Sequence, residues 1–175
     1  MLKTIIKRDG SSEDFIPHKV NRWVEWTTKG LEGRCNWSSI VLDTIRSFGE
    51  STDSQTLQKT LVKTCLLRRD WPHNVMAGRL YTAIIRKEFY NNFIPKVQEL
   101  HKTLNEKGLM RELSYTDEEY KEIESIIDHD RDFNYAHFQI RQVVKKYSIQ
   151  DRVKKISYET SQFVFMRMAM AYQKI

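Results

Sequence analysis

Lys7-Arg8-Asp9-Gly10, with Glu13 and Lys19 downstream, is the first group of residues in the chain whose types and spacing suit a chemical task. A triphosphate is held by cations and backbone N–H groups that converge on it. A glycine turn lets the backbone approach closely, and lysine and arginine supply charge-assisted hydrogen bonds. A further cation from a distant helix, Arg86 or Lys87, would close such a cradle. The same turn read without a ligand is an ordinary solvated basic hairpin, and with no GxxxxGK[ST] run in the chain it is not a P-loop.

The other reactive residue types are less suggestive. Asp128-His129-Asp130-Arg131-Asp132 could serve a metal or acid–base chemistry, but mixed-sign runs usually form solvated ion pairs, and a solvated helix C-terminus is the expectation. His18, His73, His101 and His137 stand alone without ligand spacing. Cys35 and Cys65 show no CxxC pattern, so both are expected to be buried apolar residues rather than a zinc site or a disulfide. No nucleophile elbow, redox cysteine pair or metal-ligand set is present, so no catalytic or metal-binding residue is assigned. The residues argue for binding and regulation.

The elements that must position these residues follow from periodicity. Thr4-Ile5-Ile6-Lys7, the Asp9-Gly10 turn and Glu13-Asp14-Phe15-Ile16 predict a β-hairpin. Val20, Trp23, Val24, Thr27 and Leu31 predict a helix over 18–30 that stops at Gly30. Further helices are predicted from Ser38 to Gly49, from a Ser54 cap through Cys65, and over 74–90. Beyond Pro95 come helices over 96–107 and 116–128, the latter opened by the capping box Thr116-Asp117-Glu118-Glu119. A helix over 134–147, an extended stretch over 148–159 and a helix over 161–172 complete the chain. In the last of these, Phe163, Val164, Phe165, Met166, Met168, Ala169, Met170 and Ala171 leave almost no polar face, which predicts burial on most sides. The fold class is α+β, mostly helical.

The 175 residues can bury a core; 40% are hydrophobic and 30% charged, as in folded globular proteins. Neither a signal peptide nor a run of about 20 apolar residues is present, so a cytoplasmic protein without a membrane partner is expected. The net charge of +6 is scattered in short clusters at Lys7-Arg8, Arg68-Arg69, Lys145-Lys146 and Lys154-Lys155. A nucleic-acid face would show a denser stripe, so no nucleic-acid partner is expected.

Ile5 through Val20, the helix Trp23 to Leu31, Thr56 to Lys63, Ala77 to Leu80 and Ile85 to Tyr90 resemble the ATP-cone at the N-terminus of many ribonucleotide reductases. Tyr115 to Glu119, Ile127 to Asp132 and Tyr158 to Phe163 resemble the passage from that cone into the catalytic α/β barrel of class I large subunits, of the kind found in enterobacteria and T4-like phages. The resemblance spans essentially the whole chain. It implies an ATP-cone over 1–93, made of a hairpin and four helices. Residues 94–175 would then be the helical start of a catalytic domain whose barrel is not completed here.

By position, the resemblance makes Lys7 and Arg8 residues near the nucleotide, Glu13 a base-side or ribose-side carboxylate, and Lys19 and Lys87 phosphate ligands. It implies ATP or dATP as allosteric effector, with Mg2+ and no covalently bound cofactor. Ile16 stands where the family has an adenine-reading polar residue, Thr56 where it has an aspartate, and Gln58 and Ile84 where it has histidines. Weak ATP binding and a poor response to dATP are the expectation. The family's catalytic cysteines have no counterpart here, so the chain alone is expected to be inactive. It would be an enzyme component, a fragment or one piece of a split large subunit. Its partners would be the remainder of that subunit, on the same or a separate chain, and the radical-generating small subunit. The competing expectations are a free-standing ATP-cone regulator without catalytic role, and an interaction protein working through its last helix.

Overall fold

The computed structural model describes residues 2–91 and 93–173. They are mostly helical and form two compact units: residues up to Tyr81 with Tyr135–Phe138, and Thr82–Asn134 with the residues from Gln139 on.

The first unit opens with strands β1 (Thr4–Ile6) and β2 (Ser12–Asp14), paired antiparallel with Ile5 opposite Glu13. Gly10 turns the chain at φ 83, a conformation that glycine adopts without a Cβ penalty. Strand β3 (Ser51–Asp53), which periodicity did not reveal, pairs parallel on the other side of β1, with Ile6 opposite Asp53.

Helix α1 (Pro17–Trp26) starts with proline at its first position, where the missing N–H costs nothing. It ends before the predicted Gly30 because the hydroxyls of Thr27 and Thr28 turn back onto Val24 O and Glu25 O. Arg79 then donates to Thr27 O at 2.7 Å and Lys29 O at 2.6 Å, satisfying carbonyls at the helix end. Helix α2 (Trp37–Arg46) is capped by Asn36, which accepts from Ser39 N. The cap of α3 (Ser54–Leu67) is Asp53, not Ser54: its Oδ1 accepts from Thr56 N at 2.8 Å. Helix α4 (Trp71–Tyr90) begins three residues earlier than predicted, because Asp70 accepts from His73 N at 2.9 Å.

Val24, Ile40, Leu61, Cys65, Met76 and Leu80 form the fully buried centre of this unit. Cys35 is only half-buried, against expectation. Gly78 admits the backbone of the returning segment: a Cβ built there would lie 2.1 Å from Tyr135 O and 2.9 Å from His137 N. Edge-on ring contacts of Tyr81 with His137 and of Trp71 with Phe138 flank that approach.

The second unit takes the last turns of α4, then α5 (Val97–Glu106) and α6 (Asp117–Ile126), whose Thr116–Glu119 capping box forms as predicted. The predicted helix over 134–147 forms as α7 (His137–Tyr147), starting three residues later, and a 3-10 turn, His129–Asn134, precedes it. The stretch expected to be extended is a small hairpin, β4 (Gln150–Asp151) with β5 (Ile156–Ser157). In α8 (Ser161–Gln173), Phe163, Val164 and Met170 are buried, while Phe165, Met168 and Tyr172 are exposed. Burial on one side replaces the predicted burial on most sides. Val97, Leu100, Leu104, Tyr120, Ile123, Phe163 and Met170 make the core.

Candidate functional site

The hairpin places Lys7 and Arg8 at the end of β1. Lys7 N donates to Ser11 O at 2.7 Å and Gly10 N to Lys7 O at 3.0 Å, closing the turn. Asp9 caps it from within, accepting from Ser11 N and Ser11 Oγ, and these bonds hold its carboxyl below the usual range. Glu13 Oε2 lies 3.0 Å from Lys7 Nζ and 3.3 Å from Lys19 Nζ. Hydrogen bonds from Lys7 and then Lys19 hold the Glu13 carboxyl below its ordinary value. Lys7, Glu13 and Lys19 are therefore brought together, with Glu13 as the bridge.

Because β1 runs parallel to β3 with Ile6 beside Asp53, the end of β1 comes to the start of α3. Between them is an open cleft of about 290 Å³ lined by Ile6, Lys7, Arg8, Asp53, Ser54 and Gln55. It combines two cationic side chains with the first turn of a 14-residue helix, whose N–H groups and dipole favour an anion. Asp53 opposes them: its carboxylate, kept below its ordinary pKa by hydrogen bonds from Thr56, already occupies the capping position. The sequence reading missed Asp53, Ser54 and Gln55. The capping pattern at Asp53 was a usable signal for the helix start, but only strand pairing across 47 residues brings it to Lys7 and Arg8.

Lys87 stands in the last turn of α4, in the second unit. Its neighbour Arg86 does not serve as a free cation for the cradle. Arg86 is buried, its guanidinium 4.3 Å from the Phe133 ring centroid, with Nη1 3.1 Å from Asp130 Oδ1 and Nη2 donating to His129 O. Of the positions where the resemblance finds altered residues, Ile16 is exposed, Ile84 is buried in the second unit, and Gln58 Oε1 is buried without a hydrogen-bond partner.

The run from Asp128 to Asp132 is solvated only in part. Asp128, Asp130 and Arg131 are exposed, with Arg131 Nε 3.6 Å from Asp128 Oδ2, as expected, but the run forms a 3-10 turn rather than a helix end and His129 and Asp132 turn inward. Asp132 is fully buried; its Oδ1 accepts from Gln162 N at 3.1 Å and its carbonyl from Thr82 Oγ1 at 3.3 Å. Burial raises its pKa, opposed in part by Arg86, whose Nη2 is 3.8 Å from Oδ2. The His129 ring packs on Phe163 with centroids 4.5 Å apart, and burial lowers its pKa. This run ties the last turns of α4 to the start of α8. Among the described residues no cluster of three or more His, Cys, Asp or Glu is placed to hold a metal. Burial raises the Cys35 thiol and pushes Cys65 up to about 12, so neither is a thiolate at neutral pH.

No helix among the described residues is long and apolar enough to cross a membrane. No protein-family model matches the chain. It is 31% identical over 176 residues to the ribonucleoside-diphosphate reductase 1 subunit alpha of Escherichia coli K12, a match covering 94% of this chain and 22% of that protein. To the ribonucleoside-diphosphate reductase subunit alpha of phage T4 it is 27% identical over 182 residues, covering 97% of this chain and 23% of the relative. The counterpart in Haemophilus influenzae is 28% identical over 169 residues. The chain spans about a fifth of the length of these relatives. Similar along nearly all of its own sequence, it is a homologue of part of the ribonucleoside-diphosphate reductase alpha subunit.

Proposed function

We propose that this chain is the N-terminal, nucleotide-sensing portion of a ribonucleoside-diphosphate reductase alpha subunit, supporting reduction of ribonucleoside diphosphates. Residues 1–93 act as an ATP-cone, and residues 94–175 open a catalytic domain completed by further polypeptide, on the same or a separate chain. Helix α4, assigned here to the cone, contributes its last turns to the second compact unit. The partners are that remainder and a radical-generating small subunit, in the cytoplasm, and the chain alone is inactive.

The observation that carries this reading is the cleft in which Lys7, Arg8 and the first turn of α3 converge, in a chain whose relatives are reductase alpha subunits. At about 290 Å³ it lies just under the usual range for small-molecule sites, roughly 300–1,000 Å³, so it suits the phosphates of ATP or dATP rather than the whole nucleotide. Lys7 and Arg8 hold the phosphates, and Lys19 and Glu13 set the position of Lys7. Mg2+ accompanies the effector by offsetting phosphate charge, which eases the conflict with the Asp53 carboxylate. With Ile16, Thr56, Gln58 and Ile84 in place of the family's reading groups, ATP binds weakly and dATP is poorly distinguished. Effector control then follows only from whatever difference in affinity remains between assembly states.

Titration calorimetry of the full chain with ATP and dATP tests this. Weak binding of both is expected, with the component due to the Lys7 and Arg8 cleft lost in Lys7→Ala/Arg8→Ala. No binding of either nucleotide, or tight dATP binding with dATP-driven assembly, would overturn it. Mixing the chain with a polypeptide carrying the reductase barrel and with the small subunit should restore nucleotide reduction.

A further inference from the structure

The chain's positive charge is concentrated in one place. From His137 to Ser157 there are six cations, Arg141, Lys145, Lys146, Arg152, Lys154 and Lys155, and one carboxylate, Asp151. That segment alone carries a net +5 of the chain's +6. In sequence the clusters look separate, and the fold joins them. Lys145 and Lys146 occupy the last turn of α7, and the β4–β5 hairpin turns the chain back so that Ser157 pairs with Gln150. Gln150 Nε2 donates to Val144 O at 3.0 Å and Lys145 O at 3.1 Å, fixing the hairpin to the helix end.

The result is an open cleft of about 500 Å³ in which Lys145, Lys146, Arg152 and Lys155 surround Gln150 and Ser157. Among the described residues no carboxylate or aromatic ring lines it. The two acids nearest in sequence are already engaged. Asp151 Oδ1 accepts from Val153 N and Lys154 N within the turn, and buried Glu159 is held by Arg167 and Ile149 N. Basic residues at a helix C-terminus complement its dipole, and that accounts for Lys145 and Lys146. It does not account for Arg152 and Lys155 on the facing hairpin. Lys155 moreover sits at φ 56, in the left-handed region where glycine is the favoured residue.

We propose that this cleft binds an oligophosphate chain, either inorganic or the di- or triphosphate tail of a nucleotide, through charge and without reading a base. Four converging cations match several phosphates, and the size falls within the range of small-molecule sites. A single-stranded nucleic acid would call for aromatic platforms, and the lining has none. This site is distinct from the Lys7 and Arg8 cleft and stands whether or not that cleft binds nucleotide.

The test is calorimetric titration of the full chain with inorganic tripolyphosphate, ATP and GTP at about 50 and about 300 mM salt, where screening separates charge-held from shape-held ligands. All four side chains are on exposed residues, so Lys146→Glu/Lys155→Glu should fold as the native chain does, checked by circular dichroism. The expected result is salt-sensitive tripolyphosphate binding that falls at least about tenfold in Lys146→Glu/Lys155→Glu and persists in Lys7→Ala/Arg8→Ala, with ATP and GTP alike at this site. Absence of tripolyphosphate binding, its retention in Lys146→Glu/Lys155→Glu, or its loss in Lys7→Ala/Arg8→Ala alone would overturn the proposal. So would binding of a single-stranded DNA oligomer without binding of tripolyphosphate. A failed cone reading, by contrast, shows as no change on Lys7→Ala/Arg8→Ala while this site still titrates.

Discussion

Arg167 grips both carboxylate oxygens of Glu159, with Nε 2.6 Å from Oε1 and Nη2 3.0 Å from Oε2. Glu159 is fully buried, and Ile149 N donates to Oε2 at 2.7 Å, but the charge of the carboxylate is compensated by Arg167. Arg167 Nη2 also donates to Tyr147 O, which ties α8 to the end of α7. Arg167→Met should leave a buried uncompensated charge and cost about 3–5 kcal/mol in urea unfolding. Replacing both partners, Glu159→Leu with Arg167→Met, should cost less than the single change. A smaller loss in the single variant than in the double would contradict this account.

At Gly78 the constraint is steric. With Tyr135 O only 2.1 Å from where a Cβ would stand, and backbone atoms of Ala136 and His137 at 2.9 Å, no flexible side chain can give way. Gly78→Ala should therefore destabilise the first unit by about 1–3 kcal/mol or more, although alanine is the better helix former by about 1 kcal/mol. A thermal melt showing Gly78→Ala as stable as the native chain would refute the close approach.

His101 makes stability depend on pH. Burial lowers its pKa from 6.5 to about 4, and its Nδ1 lies 3.2 Å from Tyr120 Oη. A histidine whose folded pKa is depressed binds its proton more readily when unfolded. Its contribution is complete above pH 6.5 and is lost as the pH falls from about 6.5 to about 4, amounting to about 3 kcal/mol in all. Urea midpoints measured across that window should fall more steeply for the native chain than for His101→Gln.

Lys155 offers a change expected to stabilise. Lys155→Gly relieves a left-handed conformation and should raise stability by up to about 1 kcal/mol. It should at the same time weaken oligophosphate binding at the α7–hairpin cleft. A glycine variant that bound tripolyphosphate as the native chain does would assign Lys155 a purely conformational cost.

Local signals read well in this sequence. The Asp9-Gly10 turn, the Thr116–Glu119 capping box and the apolar stripes of the first four helices depend on residues within a few positions of one another, and each element formed near its predicted place. What stayed hidden depends on distant partners. Strand β3 is three polar residues, Ser-Thr-Asp, and is a strand only because β1 lies beside it. Asp132 sits in a run of mixed charge that looks solvated, yet Gln162 N and Arg86 hold it inside. At the candidate site, Lys7, Glu13 and Lys19 could be grouped from the sequence because they flank one turn and the helix after it. The contribution of Asp53, Ser54 and Gln55 could not, since nothing local announces the β1–β3 pairing. The basic cleft at Lys145 and Lys155 was obscured in the same way, by ten residues of chain that the hairpin folds back.

The packing of Tyr135–Phe138 against Gly78 bears on how the protein is made. The chain leaves the first unit at Tyr81 and returns to it at Tyr135, so that unit lacks a piece until residue 138 has been synthesised. At roughly 5–20 residues per second, the nascent first unit waits several seconds with the backbone around Gly78 uncovered. For that interval it depends on whatever holds the emerging polypeptide, and a ribosome stalled between Tyr81 and Tyr135 would present an unfinished fold rather than a completed domain.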